Sequence, residues 1–241
     1  MVSRREVFWD LCYSWSLSTI IVNCSNDAVS VELFADDAKL YTVISNDSSA
    51  ANLQSSLDYI LSWSDHWQLK LSPSKCTVMH LTSPKANIAN PLCNVPYSLC
   101  DLILLSVSTV TDLGVCYDKN FSFRPHINYI VAKASLRAKL ILKCFITRNS
   151  KLLSKAFSVF VRPILEFSSV VWSPYFKTDI NKIESVQKRF TKACLPKLNY
   201  NERLSMLGLQ TLETRRIMSD LTTCYKILNN NIDIDLHSFF S

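Results

Sequence analysis

The sequence predicts an α+β fold: short strands and one long helix first, then an all-helical half. Two changes along the chain carry that expectation. Apolar residues alternate at period two within 29–43 but recur every three to four residues from Pro125 onward. The charge changes sign over the same boundary. Residues 1–118 hold six Lys/Arg and twelve Asp/Glu, a net −6, whereas residues 119–241 hold twenty and eight, a net +12. Within the second half, 124–162 carries nine Lys/Arg and no acid. A charge run is ordinarily a solvated helix face, but so lopsided a segment points to a polyanionic partner, nucleic acid above all.

The strands come first. Val29, Val31 and Leu33 alternate with polar residues, an acidic pair follows at Asp36 and Asp37, and alternation resumes at Tyr41 and Val43. This pattern is a hairpin with the two aspartates at its tip. Ser48 or Ser49 is expected to cap a helix that runs to about His66, with Leu53, Leu57, Ile60 or Leu61, and Trp67 on its apolar stripe. Trp63, Trp67 and Trp172 are expected as core anchors rather than stacking platforms. After Ser72-Pro73, Lys75 to Leu81 offers a strand; 83–101 reads as loop with short extended pieces, and 107–116 as a strand pair around Gly114.

The helices follow. Ile127, Ile130, Ala134, Ala138, Ile141 and Phe145 form one stripe, with Lys133, Arg137, Lys139 and Lys143 off it. A second helix, capped by Ser150, is expected to use Leu152, Ala156 and Phe160 and to stop before Pro163. A third begins after Thr178 with Ile180, Ile183, Gln187 and Phe190, and a short one ends at Gly208, which suits a C′ position. The last starts at Thr211 with Leu221, Tyr225 and Leu228 on one face.

Composition removes several function classes. With 48% apolar and 19% charged residues the chain is not generally disordered. Two glycines cannot furnish a Rossmann or phosphate-loop fingerprint, nor a Gly-x-Ser-x-Gly nucleophile turn. No apolar run approaches the roughly 18 residues of a membrane span, so no membrane partner is expected. The nine cysteines are odd in number, scattered and without a Cys-x-x-Cys pair. They read as reduced core thiols of a cytoplasmic or nuclear chain that is not secreted. Cys76, His80, Cys93 and Cys100 match no compact zinc spacing.

Two adjacent carboxylates offer hard oxygen ligands, and a pair of Mg²⁺ ions about 3.5–4 Å apart serves nucleotidyl transfer. Taken alone, Asp-Asp is an ordinary turn. Its neighbours change the balance. Phe34-Ala35-Asp36-Asp37-Ala38-Lys39-Leu40-Tyr41 is followed by a helix and then Trp67-Gln68-Leu69-Lys70-Leu71-Ser72-Pro73-Ser74-Lys75-Cys76. Further blocks are Leu113-Gly114-Val115, Arg162-Pro163-Ile164-Leu165-Glu166, Val171-Trp172-Ser173-Pro174-Tyr175, Glu184-Ser185-Val186-Gln187-Lys188-Arg189 and Tyr225-Lys226-Ile227-Leu228-Asn229. In this order, over roughly 29–230, they resemble the reverse transcriptases of non-LTR, LINE-type, jockey-like retrotransposons.

The resemblance implies a partial polymerase palm (hairpin, helix and short strands) over 29–118, then a helical thumb and C-terminal extension over 119–241. It implies that Asp36 coordinates catalytic Mg²⁺ with Asp37 beside it, and that Phe34 and Ala35 lie near the primer end. Lys75 matches a lysine proposed to protonate the departing pyrophosphate; the other reading is an exposed surface lysine. Leu113, Gly114 and Val115 resemble a hairpin that grips the primer, or are a plain strand with a close-approach glycine. Lys133, Arg137 and Lys143 would track the backbone of an RNA template and DNA primer, which the family extends with dNTPs. No small-molecule cofactor is implied.

The family also needs a third palm aspartate and the fingers, both ahead of the Asp-Asp loop. The acids preceding Asp36 are Glu6, Asp10, Asp27 and Glu32, none in the family's setting. The expectation is therefore a truncated fragment that does not polymerise alone; the alternative is a non-catalytic, sequence-indifferent nucleic-acid-binding remnant. Residues 1–28 read as a leader and out-of-frame remnant. Back-translated and read from the third base, the opening residues can yield Gly-Val-Pro-Gln-Gly-Ser-Val-Leu-Gly-Pro-Leu-Leu-Phe, the family motif due just before this point. The codons are free choices, but four positions are not: Met1-Val2 and Trp9-Asp10 give Gly, and Phe8-Trp9 and Cys12-Tyr13 give Leu, whatever codons are used. The transcript's codons decide it. A signal peptide from Arg4 and Arg5 onward is the rival, opposed by Asp10, the serines and the lack of a small-residue cleavage site.

Overall fold

A computed structural model of the chain describes residues 2–3, 29–34, 37–69, 71–81, 95–145 and 149–232. The chain divides into two compact units, 1–122 and 123–241.

The first unit runs β1 (Val2–Ser3), β2 (Ser30–Phe34), β3 (Asp37–Tyr41), α1 (Asp47–His66), β4 (Thr77–Val78), β5 (Ser98–Leu99), β6 (Leu102–Ile103), β7 (Leu105–Ser106), β8 (Thr109–Asp112) and β9 (Val115–Asp118). One sheet has the order β2-β3-β1-β4-β7, with β4 and β7 parallel; β5 pairs with β6 and β8 with β9. The expected hairpin forms, β2 against β3 from Ser30↔Tyr41 to Phe34↔Asp37. Period two decides its faces: Val31 and Leu40 pair and turn inward, where Leu53, Leu57, Ile60 and Trp63 of α1 cover them.

Two expectations for α1 are corrected. Asn46, not Ser48 or Ser49, is the cap: its side chain accepts from the Ser49 backbone N–H at 2.9 Å while both serine hydroxyls donate to the same oxygen. Asn46 is extended, so its oxygen can reach back over the first turn, whereas both serines are already helical. Trp67 lies past the last helical residue and is 46% exposed; Trp63, one turn earlier, is the buried anchor. Gln68 then takes a left-handed φ of 56°, and the Leu69 N–H returns to the Ser64 carbonyl at 2.7 Å, a Schellman closure that buries Leu69. The strand expected over 75–81 shrinks to Thr77–Val78, because Pro73–Lys75 coils into a 3₁₀ turn.

The second unit is helical: α2 (Arg124–Cys144), α3 (Ser150–Phe160), α4 (Arg162–Glu166), α5 (Ser169–Trp172), α6 (Lys177–Cys194), α7 (Tyr200–Leu207) and α8 (Leu212–Leu228). Ile127, Ile130, Ala134, Ala138 and Ile141 bury the expected stripe of α2, and Ile183, Gln187 and Phe190 that of α6. Gly208 closes α7 at φ 62°, and Thr211 caps α8. Trp172 is buried, its indole N–H donating to the Phe167 carbonyl at 2.8 Å.

One helix face differs from expectation. In α3 the cap is Asn149 and the buried side is Leu153, Ala156 and Phe157, so Leu152 and Phe160 face out. The sequence offers apolar residues on both sides of that helix, and the packed set is completed by Phe157 against Phe190, ring centroids 4.8 Å apart. In α8, Leu212, Arg216 and Ile227 are buried while Leu221, Tyr225 and Leu228 are exposed. The cysteines are corrected too: all six described are free, but Cys76 alone among them is buried, and Cys100, Cys144 and Cys224 are exposed.

Candidate functional site

Asp37 opens β3 opposite Phe34; Ala35 and Asp36, the two residues between them, lie outside the described residues. Alternation puts Asp37, Lys39 and Tyr41 on one face with their partners Phe34, Glu32 and Ser30, opposite the buried Val31 and Leu40. That face is accessible only in part: Phe34 is exposed, Asp37 and Lys39 are half-buried, and Tyr41 donates to Glu32 at 3.3 Å.

The same face reaches the second hairpin. The Lys39 ammonium lies 2.5 Å from Asp112 Oδ2, with only 16% and 18% of the two side chains exposed. Asp112 ends β8, and the turn after it, Leu113-Gly114, has both residues left-handed (φ 45° and 84°). A two-residue hairpin turn of this hand matches strand twist and favours glycine second. Leu113 and Gly114 are exposed; Val115 is buried as the strand resumes. The structure thus joins the acidic hairpin to the Leu113-Gly114-Val115 hairpin through one ion pair. Burial, with Asp112 adding to it, pushes the nearby Tyr117 hydroxyl up to about 12.

Lys75 ends the 3₁₀ turn and is exposed, just before β4, and β4 is separated from β3 in the sheet by β1. Among the described residues no group of three or more His, Cys, Asp or Glu side chains stands together to hold a metal ion.

Four acids of the helical unit are engaged within it. Glu184 is buried: Tyr200 donates to one carboxylate oxygen, and the Leu212 N–H, at the start of α8, donates to the other at 2.9 Å. Gln187 joins them, donating to the Tyr200 hydroxyl at 3.0 Å and the Gln210 carbonyl at 2.8 Å. Glu166 receives two hydrogen bonds from Arg215, at 2.5 and 2.9 Å, and pairs with Arg162. Asp179 pairs with Arg124, and Glu202 closes a capping box with Asn199. Not every cation stays outside: Arg203 and Arg216 are buried, and Arg124, Arg162 and Arg215 are paired with these acids.

Lys133, Arg137, Lys139 and Lys143 are exposed along α2, and among the described residues none of them forms an ion pair. Two cations that the sequence did not single out join this face from α6. Lys182 donates to Asn128 and Arg189 to the Ser135 hydroxyl at 3.2 Å, both neutral partners on α2. Tyr129, one turn before Lys133, is 58% exposed, with the lysine ammonium 5.5 Å from its ring centroid. A basic helix face of this kind, without acidic partners among the described residues, attracts phosphate. No helix among the described residues is long and apolar enough to cross a membrane.

Over 169 residues, 66% of this chain, the sequence is 27% identical to a stretch that makes up 18% of the "Probable RNA-directed DNA polymerase from transposon BS" of Drosophila melanogaster. An uncharacterized protein of Caenorhabditis elegans is 29% identical over 125 residues, 50% of this chain and 63% of that protein. The chain therefore spans less than two thirds of either relative's length. No family model matches the chain, and no solved structure does. The similarity supports a relationship, over part of the chain, to a transposon reverse transcriptase.

Proposed function

We propose that this chain is a portion of a reverse transcriptase of a non-LTR, LINE-type retrotransposon, that its helical unit holds nucleic acid without reading sequence, and that it does not polymerise DNA by itself. The observation that carries the binding role is the basic face of α2: Lys133, Arg137, Lys139 and Lys143 stand outward and form no ion pair among the described residues, while Glu166, Asp179, Glu184 and Glu202 are engaged elsewhere in the unit. Phosphate contacts made this way fix position and carry no base code.

In this reading, Phe34 to Asp37 is the catalytic loop and Leu113-Gly114-Val115 grips the primer, held to the loop's strand by Lys39–Asp112. Asp36 and Asp37 are two of the three carboxylates that the family reaction needs, and Lys75 is its candidate proton donor. The test is primer extension on poly(rA)/oligo(dT) with dNTPs and Mg²⁺, beside a chain carrying Asp36→Ala and Asp37→Ala. The expected result is binding of the hybrid by both chains and extension by neither. Extension by the unaltered chain above that control contradicts the claim of inactivity.

A further inference from the structure

We propose that the exposed face of α2 takes single-stranded nucleic acid, with Tyr129 as a platform on which an unpaired base stacks. The inference rests on the nucleic-acid-binding role above and narrows it to one class of ligand. Around the helix, Tyr129, Leu136 and Leu140 fall on one narrow strip, being seven and then four residues apart. They are 58%, 62% and 46% exposed. Lys133 and Arg137 flank the strip on one side. On the other are Lys139 and the α6 neighbours Lys182 and Arg189, which reach α2 at Asn128 and Ser135.

An apolar strip with a cationic border on each side suits one ligand geometry better than another. A duplex turns its phosphates and sugars outward and hides its base faces in the stack, so it would lay charged backbone over Tyr129, Leu136 and Leu140. A single strand can turn its bases onto the strip while its phosphates reach the flanking cations. Stacking of a base on an aromatic ring is sequence-tolerant, because every base has a π-face. The Lys133 ammonium over the Tyr129 ring, 5.5 Å from its centroid, holds one cation beside the stacking position. The absence of acids from 124–162 makes the charge complementarity one-sided, and a polyanion is the ligand it selects.

The test uses the full chain and fluorescence anisotropy with labelled oligo(dT), oligo(rU), a DNA duplex and an RNA/DNA hybrid at one salt concentration. The single strands are expected to bind several-fold more tightly than either duplex. Tyr129→Ala is expected to weaken single-strand binding about tenfold, within the about 1–3 kcal/mol that one stacked base contributes, and to leave duplex binding unchanged. Tyr129→Phe, which keeps the ring, restores it. Because the ring is exposed, thermal unfolding should not shift; ultraviolet crosslinking of the unaltered chain to oligo(dT), mapped to Tyr129, gives a second readout free of any substitution. Duplex binding as tight as single-strand binding, or indifference to Tyr129→Ala without a crosslink, overturns the inference while leaving the broader role intact. Failure to bind any of the four ligands overturns both.

Discussion

At the scale of single residues, Lys39 and Asp112 matter most, because theirs is the ion pair that links the acidic hairpin to the second one. Both side chains are largely buried, so removing one leaves the other charged and short of a partner. Lys39→Met is expected to cost about 1–2 kcal/mol, between an exposed and a buried pair, and Lys39→Met with Asp112→Leu together less than that; urea unfolding of the four chains measures both. A double variant as unstable as the single one would show that the pair is incidental to the packing. Nothing in the sequence pairs these two residues, 73 positions apart. The helix cap was legible only as a neighbourhood: Asn46, Ser48 and Ser49 all suit the position, and backbone conformation, which composition does not reveal, selects Asn46.

At the scale of elements, the chain's periodicities were legible wherever one face was clearly apolar. The hairpin of β2 and β3, the stripe of α2 and the closure of α7 at Gly208 fall where the pattern puts them. The pattern fails where apolar residues surround the helix. In α3, Leu152 and Leu153 are adjacent, as are Val159 and Phe160 near its end, so period alone cannot choose the buried set. In α8 the buried face includes Arg216, whose guanidinium burial pulls toward the neutral form while Glu184, Glu213, Asp220 and Glu166 pull it back; no hydropathy rule places an arginine there. The corrected face of α3 gives a direct check. Phe157→Ala should cost about 3–5 kcal/mol, as for a fully buried aromatic. Phe160→Ala should stay within about 0.5 kcal/mol, as for an exposed position. Thermal unfolding of the two chains distinguishes them, and equal losses would restore the original stripe.

At the scale of the whole molecule, the division of charge was the most legible feature, since counting alone separates a net −6 first half from a net +12 second half. What counting could not give is depth. Glu166, Asp179, Glu184 and Glu202 are engaged within the helical unit, which a count of charges does not show. Lys182 and Arg189 were missed for the same reason: they lie on a mixed-charge helix and join the α2 face only through packing. The acidic hairpin was recognised by its motif, but Asp36 lies outside the described residues and Asp37 alone carries its geometry.

The measurement that bears most directly on nucleic-acid binding is the salt dependence of oligo(dT) affinity for the intact chain. If Lys133, Arg137, Lys139, Lys143, Lys182 and Arg189 each neutralise a phosphate, the logarithm of affinity should fall against the logarithm of salt with a slope of about −4. Lys133→Glu with Arg137→Glu and Lys143→Glu should flatten that slope by about half. Affinity that does not change with salt, or a triple variant that binds as the unaltered chain does, would contradict the account.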